Sequence, residues 1–227
     1  MVNLNKILDE GITISSSGTT GTPKSIFQSP KKLKAANSVA REVQSITKNS
    51  SIYTVCTLDH AGGLLAQTLP GYEIGCNIDI EKFNPYTWVS KIQKYTHSHL
   101  TPGMAEAIIK TKSFKKLNLS GITIMCGSDK VKHTVAQLFI DQGATFIINW
   151  GMTEIGPVAI NKTYRPGDIT IPGIILGDTK YCDYKIVDNE LWVKGDICVY
   201  DDWYATKDVV LENNGCLFYK GRINDFY

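Results

Sequence analysis

The stretch 15–25, SSSGTTGTPKS, decides how the N-terminal part of this chain folds and what it binds. It follows the alternating segment 12–14, ITI, which predicts a short strand. Glycines let the backbone come close to a ligand, hydroxyl and amide groups donate hydrogen bonds, and Lys24 supplies a positive charge. These properties predict a phosphate-binding loop.

One candidate for this loop is the Walker A pattern, G-x-x-x-x-G-K-[ST]. Gly18, Lys24 and Ser25 are in register with that pattern, but Pro23 stands in place of the second glycine. Proline has no N–H, so it removes a backbone donor where a Walker A loop contacts the β-phosphate. A flexible turn rich in serine and threonine is the other alternative that these residues leave open.

The composition indicates a globular protein, with 227 residues of which 43% are hydrophobic and 20% charged. The net charge of +2 argues against a strongly basic surface of the kind that binds nucleic acids, and we expect no nucleic-acid partner. We find no signal-peptide pattern and no apolar run long enough to span a membrane. The six widely spaced cysteines include no C-x-x-C pair and are typical of reduced thiols. We therefore expect a cytoplasmic protein without a membrane partner.

Predicted strands and helices alternate along the first part of the chain. The predicted strands are 51–58, 97–100, 121–126 and 144–149, and the predicted helices between them are 30–46, 85–95, 103–111 and 130–141. Such alternation predicts an α/β fold with a mostly parallel sheet and helices on both faces. Short strands then follow, separated by Gly, Pro, Asp and Asn. We divide the chain into an α/β nucleotide-binding layer, 1–160, and a small β-rich subdomain, 161–227.

Polar loops follow several of the predicted strands. They are 15–25, 59–63, 126–129 and 150–154. Ligands of parallel sheets bind beyond the carboxyl ends of the strands. We therefore expect these four loops to converge on one crevice.

Three motifs, in order along the chain, resemble those of the adenylate-forming ligases, which include acyl-CoA synthetases, 4-coumarate–CoA ligases and luciferases. SSGTTGTPK at 16–24 is similar to their phosphate loop, and WGMTE at 150–154 to their aromatic-G-x-T-E motif. DVV…GCLFYKGRIND at 208–225 is similar to their aspartate-then-GR segment. The resemblance covers about residue 12 to the end, and it accounts for Pro23, because the loop of this family ends in P-K.

The resemblance implies a site for ATP or AMP with Mg²⁺. The loop 16–24 would hold the β- and γ-phosphates, Trp150 would stack on adenine, and Glu154 would hold the metal. Asp208 and Arg222 would contact the ribose. The full set of implied nucleotide-binding residues is Ser17, Gly18, Thr19, Thr20, Gly21, Lys24, Gly127, Ser128, Trp150, Gly151, Thr153, Asp208 and Arg222.

The resemblance also implies catalytic roles for Lys24, His60, Thr153 and Glu154. Thr153 would contact the α-phosphate, and His60 would lie beside the acyl pocket. The reaction would be in-line attack of a small carboxylic acid on the α-phosphate, which gives acyl-AMP and pyrophosphate. CoA is the acceptor that the resemblance suggests for a subsequent thioester.

The family pattern includes a long N-terminal portion and a C-terminal lid domain with a catalytic lysine, and we expect this chain to lack both. Slow adenylation, and a homodimer or partner chain covering the missing parts, would follow. Lys207 stands where the family has glycine, and we hypothesise that it lies near the nucleotide. The alternatives to a minimal ligase are a non-catalytic nucleotide-binding module and one part of a split ligase.

Overall fold

The computed structural model of the protein describes residues 2–16 and 24–226. Some helices begin at residues that favour helix starts. Before α2, the Ser29 side chain accepts a hydrogen bond from the backbone N–H of Lys32, and Pro30 is the first helical residue. The α-helices are α1 (Leu4–Glu10), α2 (Pro30–Gln44), α3 (Ala61–Gly63), α4 (Leu69–Glu73), α5 (Pro85–Lys91), α6 (Pro102–Ile109) and α7 (His133–Asp141). A π-helical turn, Leu64–Thr68, joins α3 to α4, and 3-10 turns cover Ile92–Lys94, Phe114–Lys116 and Ile223–Asp225.

The strands form a two-stranded ribbon and two larger sheets. They are β1 (Ile12–Ser16), β2 (Lys24–Gln28), β3 (Ser51–Thr54), β4 (Asn77–Ile80), β5 (His97–Leu100), β6 (Thr123–Cys126), β7 (Thr145–Met152), β8 (Gly156–Tyr164), β9 (Ile175–Gly177), β10 (Thr179–Lys180), β11 (Asp183–Val187), β12 (Glu190–Lys194), β13 (Tyr204–Asn213) and β14 (Cys216–Arg222).

The larger sheet has seven strands in the order β10-β8-β7-β6-β5-β3-β4. Strands β3 to β7 run parallel to one another, whereas β8 and β10 are antiparallel to their neighbours. All four residues of β5 are buried, as expected for a central strand covered on both faces. The predicted α/β class with a mostly parallel sheet is confirmed.

The second sheet is antiparallel, with five strands in the order β11-β12-β13-β14-β9. Asn214 and Gly215, both at positive φ, form the tight turn between β13 and β14. Strand β8 runs across the boundary that we placed between residues 160 and 161. The division into two domains stays a prediction.

Element bounds differ from the prediction at several strand and helix ends. The predicted strand 51–58 ends at Thr54, although Val55 and Cys56 are buried as strand residues would be. The apolar run therefore predicted the burial of these residues correctly, but its prediction that the strand continues beyond Thr54 was wrong. The predicted helix 130–141 begins at His133, and the predicted strand 144–149 continues to Met152.

The main hydrophobic core lies on one face of the parallel sheet, and Trp88 of α5 is its largest fully buried side chain. The indole Nε1 donates to Ser98 Oγ on β5 at 3.1 Å. The ring meets Phe139 of α7 edge to face, with centroids 6.2 Å apart. Trp88 therefore ties α5 and α7 to the centre of the sheet.

Lys32 of α2 is a buried cation, with only 4% of its surface exposed. Its ammonium group donates to Gln28 Oε1, and Gln28 Nε2 donates to the carbonyl of Thr153 at 2.9 Å. This short chain of hydrogen bonds connects α2 and β2 to the loop after β7.

Lys32 should make stability depend on pH in the alkaline range. Burial lowers the pKa of Lys32 to about 8, below its usual value of about 10.4 in an unfolded chain. Between these values the unfolded state binds more protons, so the free energy of unfolding rises with pH. Relative to Lys32→Met, the wild type should gain about 2 kcal/mol between roughly pH 8 and pH 10.

Urea denaturation of both proteins across this range measures the difference. Comparison with Lys32→Met cancels the titration of the tyrosines and cysteines that both proteins share, except that of Cys198, which interacts electrostatically with Lys32. A difference in unfolding free energy that stays constant with pH would contradict the prediction.

Candidate active site

A cavity of about 740 Å³ lies at the carboxyl ends of the parallel strands and is lined by residues of both large sheets. This size suits a nucleotide-sized ligand. The residues predicted from sequence that line it are Lys24, His60, Ser128, Trp150, Gly151, Thr153, Glu154, Asp208 and Arg222. Gly127 does not line the cavity, but a Cβ atom on it would be 2.4 Å from Oδ1 of Asn149, which does.

The phosphate loop itself is only partly described. Ser17, Gly18, Thr19, Thr20 and Gly21 lie outside the described residues. Ser15 on β1 and Lys24 on β2, the residues that flank this region, both line the cavity. Ribbon β1–β2 is antiparallel, with Ser15 opposite Ser25.

Trp150 and Asp208 are joined by a hydrogen bond from indole Nε1 to carboxylate Oδ2, at 2.9 Å. The guanidinium of Arg222 pairs with the other oxygen of Asp208 and donates to the carbonyl of Thr206 at 3.0 Å. Asp208 stands opposite Arg222 in the β13–β14 register, and it is 5% exposed. A carboxylate has about four acceptor positions, so two donors leave it room for further ones.

The Thr153–Glu154 turn is fixed by hydrogen bonds from β2, from β13 and from the segment before β13. Tyr204 Oη donates to Glu154 Oε1 at 3.2 Å, and the carbonyl of Glu154 accepts from the backbone of Val199 at 2.8 Å. Gln28 holds the carbonyl of Thr153. Burial, and secondly the Glu154 carboxylate, raise the pKa of Tyr204, so its hydroxyl stays a donor.

Gly151 is required by the close approach of two backbones. A Cβ atom at this position would lie 1.9 Å from the carbonyl oxygen of Gly156 on the paired strand β8. The glycine lets β7 and β8 converge at the turn that aims Thr153 and Glu154 into the cavity.

Lys207 also lines the cavity, in a left-handed backbone conformation with φ of 64°. This conformation is uncommon for residues other than glycine, asparagine and aspartate. Its backbone N–H donates to Glu190 Oε1 at 2.8 Å. The hypothesis that its charge serves the nucleotide stays a prediction.

The two histidines of β5 differ in their hydrogen bonds. His97 contacts the carbonyl of Gln44 through Nε2 at 3.0 Å and Thr96 Oγ1 through Nδ1 at 2.7 Å. His99 also lines the cavity, but neither of its ring nitrogens has a hydrogen-bond partner among the described residues. His60, before α3, is exposed and has Nε2 3.9 Å from an Asp59 carboxylate oxygen.

The metal prediction depends on Glu154. Within residues 2–16 and 24–226, no cluster of three or more histidine, cysteine, aspartate or glutamate side chains has the arrangement of a metal site. A single cavity-facing carboxylate fits Mg²⁺, which is commonly held by one or two carboxylates together with substrate phosphates and water.

Sequence reasoning missed the Trp150–Asp208 hydrogen bond, the contact between Tyr204 and Glu154, and the position of His99 in the cavity wall. The first two join residues more than 45 positions apart, and no local pattern signals such pairs. His99 is half of the short motif HSHL, whose alternation indicates only that both rings lie on one side of a strand.

The fold and the cavity define an α/β protein with a large cavity at the carboxyl edge of a parallel sheet, where ligands of such sheets bind. The chain matches the profile of the AMP-binding enzyme family over residues 12–206. It is 30% identical over 213 residues to 4-coumarate–CoA ligase 1 of Petroselinum crispum and 32% identical over 209 residues to 4-coumarate–CoA ligase 2 of Nicotiana tabacum. The chain belongs to the AMP-binding enzyme family, as its motifs predicted.

Each of these two alignments covers 82% of this chain and 38% of the relative, so the chain spans under half the length of these curated relatives. The fold is shared with ATP-bound MatB of Rhodopseudomonas palustris, with a TM-score of 0.81 and 16% identity over 96% of this chain and 49% of that one. It is also shared with the inhibitor-bound N-terminal domain of FACL13 of Mycobacterium tuberculosis, with a TM-score of 0.79 and 16% identity over 92% of this chain and 60% of that one. Among the described residues, no helix has the length and apolar character needed to cross a membrane.

Proposed function

We propose that the protein binds ATP with Mg²⁺ and activates a small carboxylic acid as an acyl-adenylate. One observation carries the proposal: Lys24, Glu154 and Asp208, from three distant segments, line one cavity. Family membership and the ATP-bound structural neighbour support the nucleotide. The names of the plant relatives support a carboxylic acid.

In this proposal the nucleotide lies along the ends of β7 and β13. The Asp208 carboxylate accepts hydrogen bonds from the ribose hydroxyls, through the acceptor positions that Trp150 and Arg222 do not occupy. Trp150, held by its own hydrogen bond, offers a fixed ring face for the adenine. Lys24, at the start of β2, faces the phosphates.

The chemical step is displacement at the α-phosphorus. A carboxylate oxygen of the acid forms the new P–O bond, and the bond to the pyrophosphate oxygen breaks, so pyrophosphate leaves with that electron pair. Lys24 and Thr153 would stabilise the charge on the phosphate oxygens. Mg²⁺, held by Glu154, would neutralise phosphate charge when bound. The fixed turn at 153–154 supplies the positioning that such a reaction needs.

ATP–pyrophosphate exchange tests this proposal. The purified chain is incubated with ATP, Mg²⁺, labelled pyrophosphate and a panel of aryl and fatty acids, and label in ATP is counted. Exchange that depends on one class of acid supports the ligase. Tight AMP binding without exchange for any acid would favour the alternative of a non-catalytic binding module. Transfer to CoA, and a homodimer or partner chain, stay predictions.

Asp208→Asn should weaken AMP binding about 10- to 100-fold, because hydrogen bonds to a charged acceptor are the stronger kind. The amide keeps the size of the side chain but loses the charge that faces Arg222 and the ribose. Isothermal titration with AMP measures the dissociation constant, and thermal unfolding checks the fold. Asp201→Asn, at an exposed aspartate, is the control. Equal affinities of the wild type and Asp208→Asn would contradict the ribose assignment.

A further inference from the structure

His99 is a polar side chain in the cavity wall that the adenylation chemistry does not use. It is 4% exposed, and both ring nitrogens lack hydrogen-bond partners among the described residues. His97, two residues earlier on the same face of β5, has both of its nitrogens satisfied. A buried polar group without a partner is costly, so the contrast indicates that a ligand completes the interactions of His99.

The position of His99 separates it from Trp150, the residue proposed to contact the adenine. Ser128, which the family resemblance also assigns to the nucleotide, lies nearer, because a Cβ atom on Gly62 would be 2.5 Å from its Oγ. Strand β5 is two strands from β7, the strand of Trp150, and neighbouring strands are about 4.8 Å apart, so the two strands lie roughly 10 Å from each other. It packs below the loop after β3: a Cβ atom on Gly62 would be 3.4 Å from His99 Cε1. This end of the cavity is therefore available to the acyl part of the substrate.

The surroundings of His99 are mostly uncharged. Cys56 Sγ donates to the carbonyl of His99 at 3.3 Å and lies 3.7 Å from the sulfur of Met104, and both side chains line the cavity. Burial lowers the pKa of His99 to about 4, so the ring is neutral near physiological pH. A neutral imidazole offers one N–H donor and one acceptor nitrogen. A hydroxyl group can pair with either nitrogen, because it both donates and accepts.

Building on the function proposed above, we propose that His99 recognises a hydroxyl group on the acyl part of the substrate, remote from the carboxylate that is activated. His99 is thus a specificity-determining residue, and the substrate class is that of hydroxylated carboxylic acids. An acid of the same shape without the hydroxyl would leave the imidazole unpaired, and sites built this way discriminate strongly.

Binding of acyl-adenylate mimics tests the assignment without requiring turnover. The probes are acyl-sulfamoyl-adenosines in two matched pairs: phenylpropanoyl with para-hydroxyphenylpropanoyl, and hexanoyl with its terminal-hydroxy derivative. The wild type should bind the hydroxylated member of at least one pair about 10- to 100-fold more tightly. His99→Leu should lose this preference, and His99→Gln, which keeps a donor and an acceptor, should retain part of it.

Sulfamoyl-adenosine without an acyl group separates the two proposals. It should bind the wild type and both variants with the same affinity, within about threefold. If it does not bind the wild type, the proposed function and the His99 assignment both fail. If it binds and the wild type prefers neither hydroxylated probe, or His99→Leu keeps the preference, only the His99 assignment is overturned. If His99→Leu does not fold, the affinities of the wild type and of His99→Gln for the two probe pairs test the His99 assignment.

Discussion

Replacement of Glu154 by glutamine should lower the rate of ATP–pyrophosphate exchange by about 10²–10³-fold, with the fold unchanged. Glutamine has the same shape, and its carbonyl can still accept the hydrogen bond that Tyr204 Oη donates to Glu154 Oε1. What the substitution removes is the negative charge. Mg²⁺ binds carboxylate oxygen in preference to amide oxygen, so the loss falls on the metal and on the phosphates it would contact.

The chain offers a matched control for Glu154. Glu212 also accepts a hydrogen bond from a tyrosine hydroxyl, that of Tyr184 at 2.8 Å, but it does not line the cavity. Glu212→Gln should leave exchange unchanged. In Glu154→Gln, raising the Mg²⁺ concentration should recover part of the lost rate if the defect lies in metal affinity. Exchange by Glu154→Gln within about threefold of the wild type would remove Glu154 from the proposed metal site.

The class of fold was predictable because alternation of apolar and polar residues is a local property. For example, neighbouring residues along the chain were enough to predict the buried strand His97–Leu100 and the capped helix that follows it. The order of strands in a parallel sheet follows less directly, since it depends on crossovers between elements. The order of the motifs nevertheless predicted the family, and the family match over residues 12–206 includes those at 16–24 and 150–154.

The contacts that shape the candidate site were not predictable in the same way. The Trp150–Asp208 hydrogen bond crosses from the parallel sheet to the antiparallel one. The chain from Lys32 through Gln28 to Thr153 depends on how α2 packs against the turn after β7. Neither contact has a spacing that a single sequence reveals. The sequence also does not distinguish Lys32, which is buried, from Lys31 and Lys34, which are exposed on the same helix.

These contacts explain how two sheets form one site. The parallel sheet supplies Thr153 and Glu154, and the antiparallel sheet supplies Asp208 and Arg222. Tyr204 at the start of β13 binds Glu154, so each sheet orients side chains of the other. Because both sheets must hold their relative position for this site to exist, we expect the site to be sensitive to the stability of the core beneath it.

Replacement of Trp88 by alanine should lower the free energy of unfolding by about 3–5 kcal/mol. The side chain is fully buried, and its removal would leave a cavity between α5, α7 and β5. It would also leave Ser98 Oγ without the indole donor, although that hydroxyl still donates to the carbonyl of Tyr53 at 2.9 Å. A domain is commonly stable by only 5–15 kcal/mol, so this loss would be a large share of the total.

Urea denaturation followed by circular dichroism measures this effect, and two further variants apportion it. Trp88→Phe keeps most of the volume and loses the Nε1 donor, and it should cost about 1–2 kcal/mol. Tyr86→Ala, on the same helix but 72% exposed, should stay within about 0.5 kcal/mol of the wild type. A loss below about 1 kcal/mol in Trp88→Ala would show that the core does not depend on this ring. If Tyr86→Ala lowered the free energy of unfolding as much as Trp88→Ala does, α5 would stabilise the protein through its helical structure and not through the buried indole.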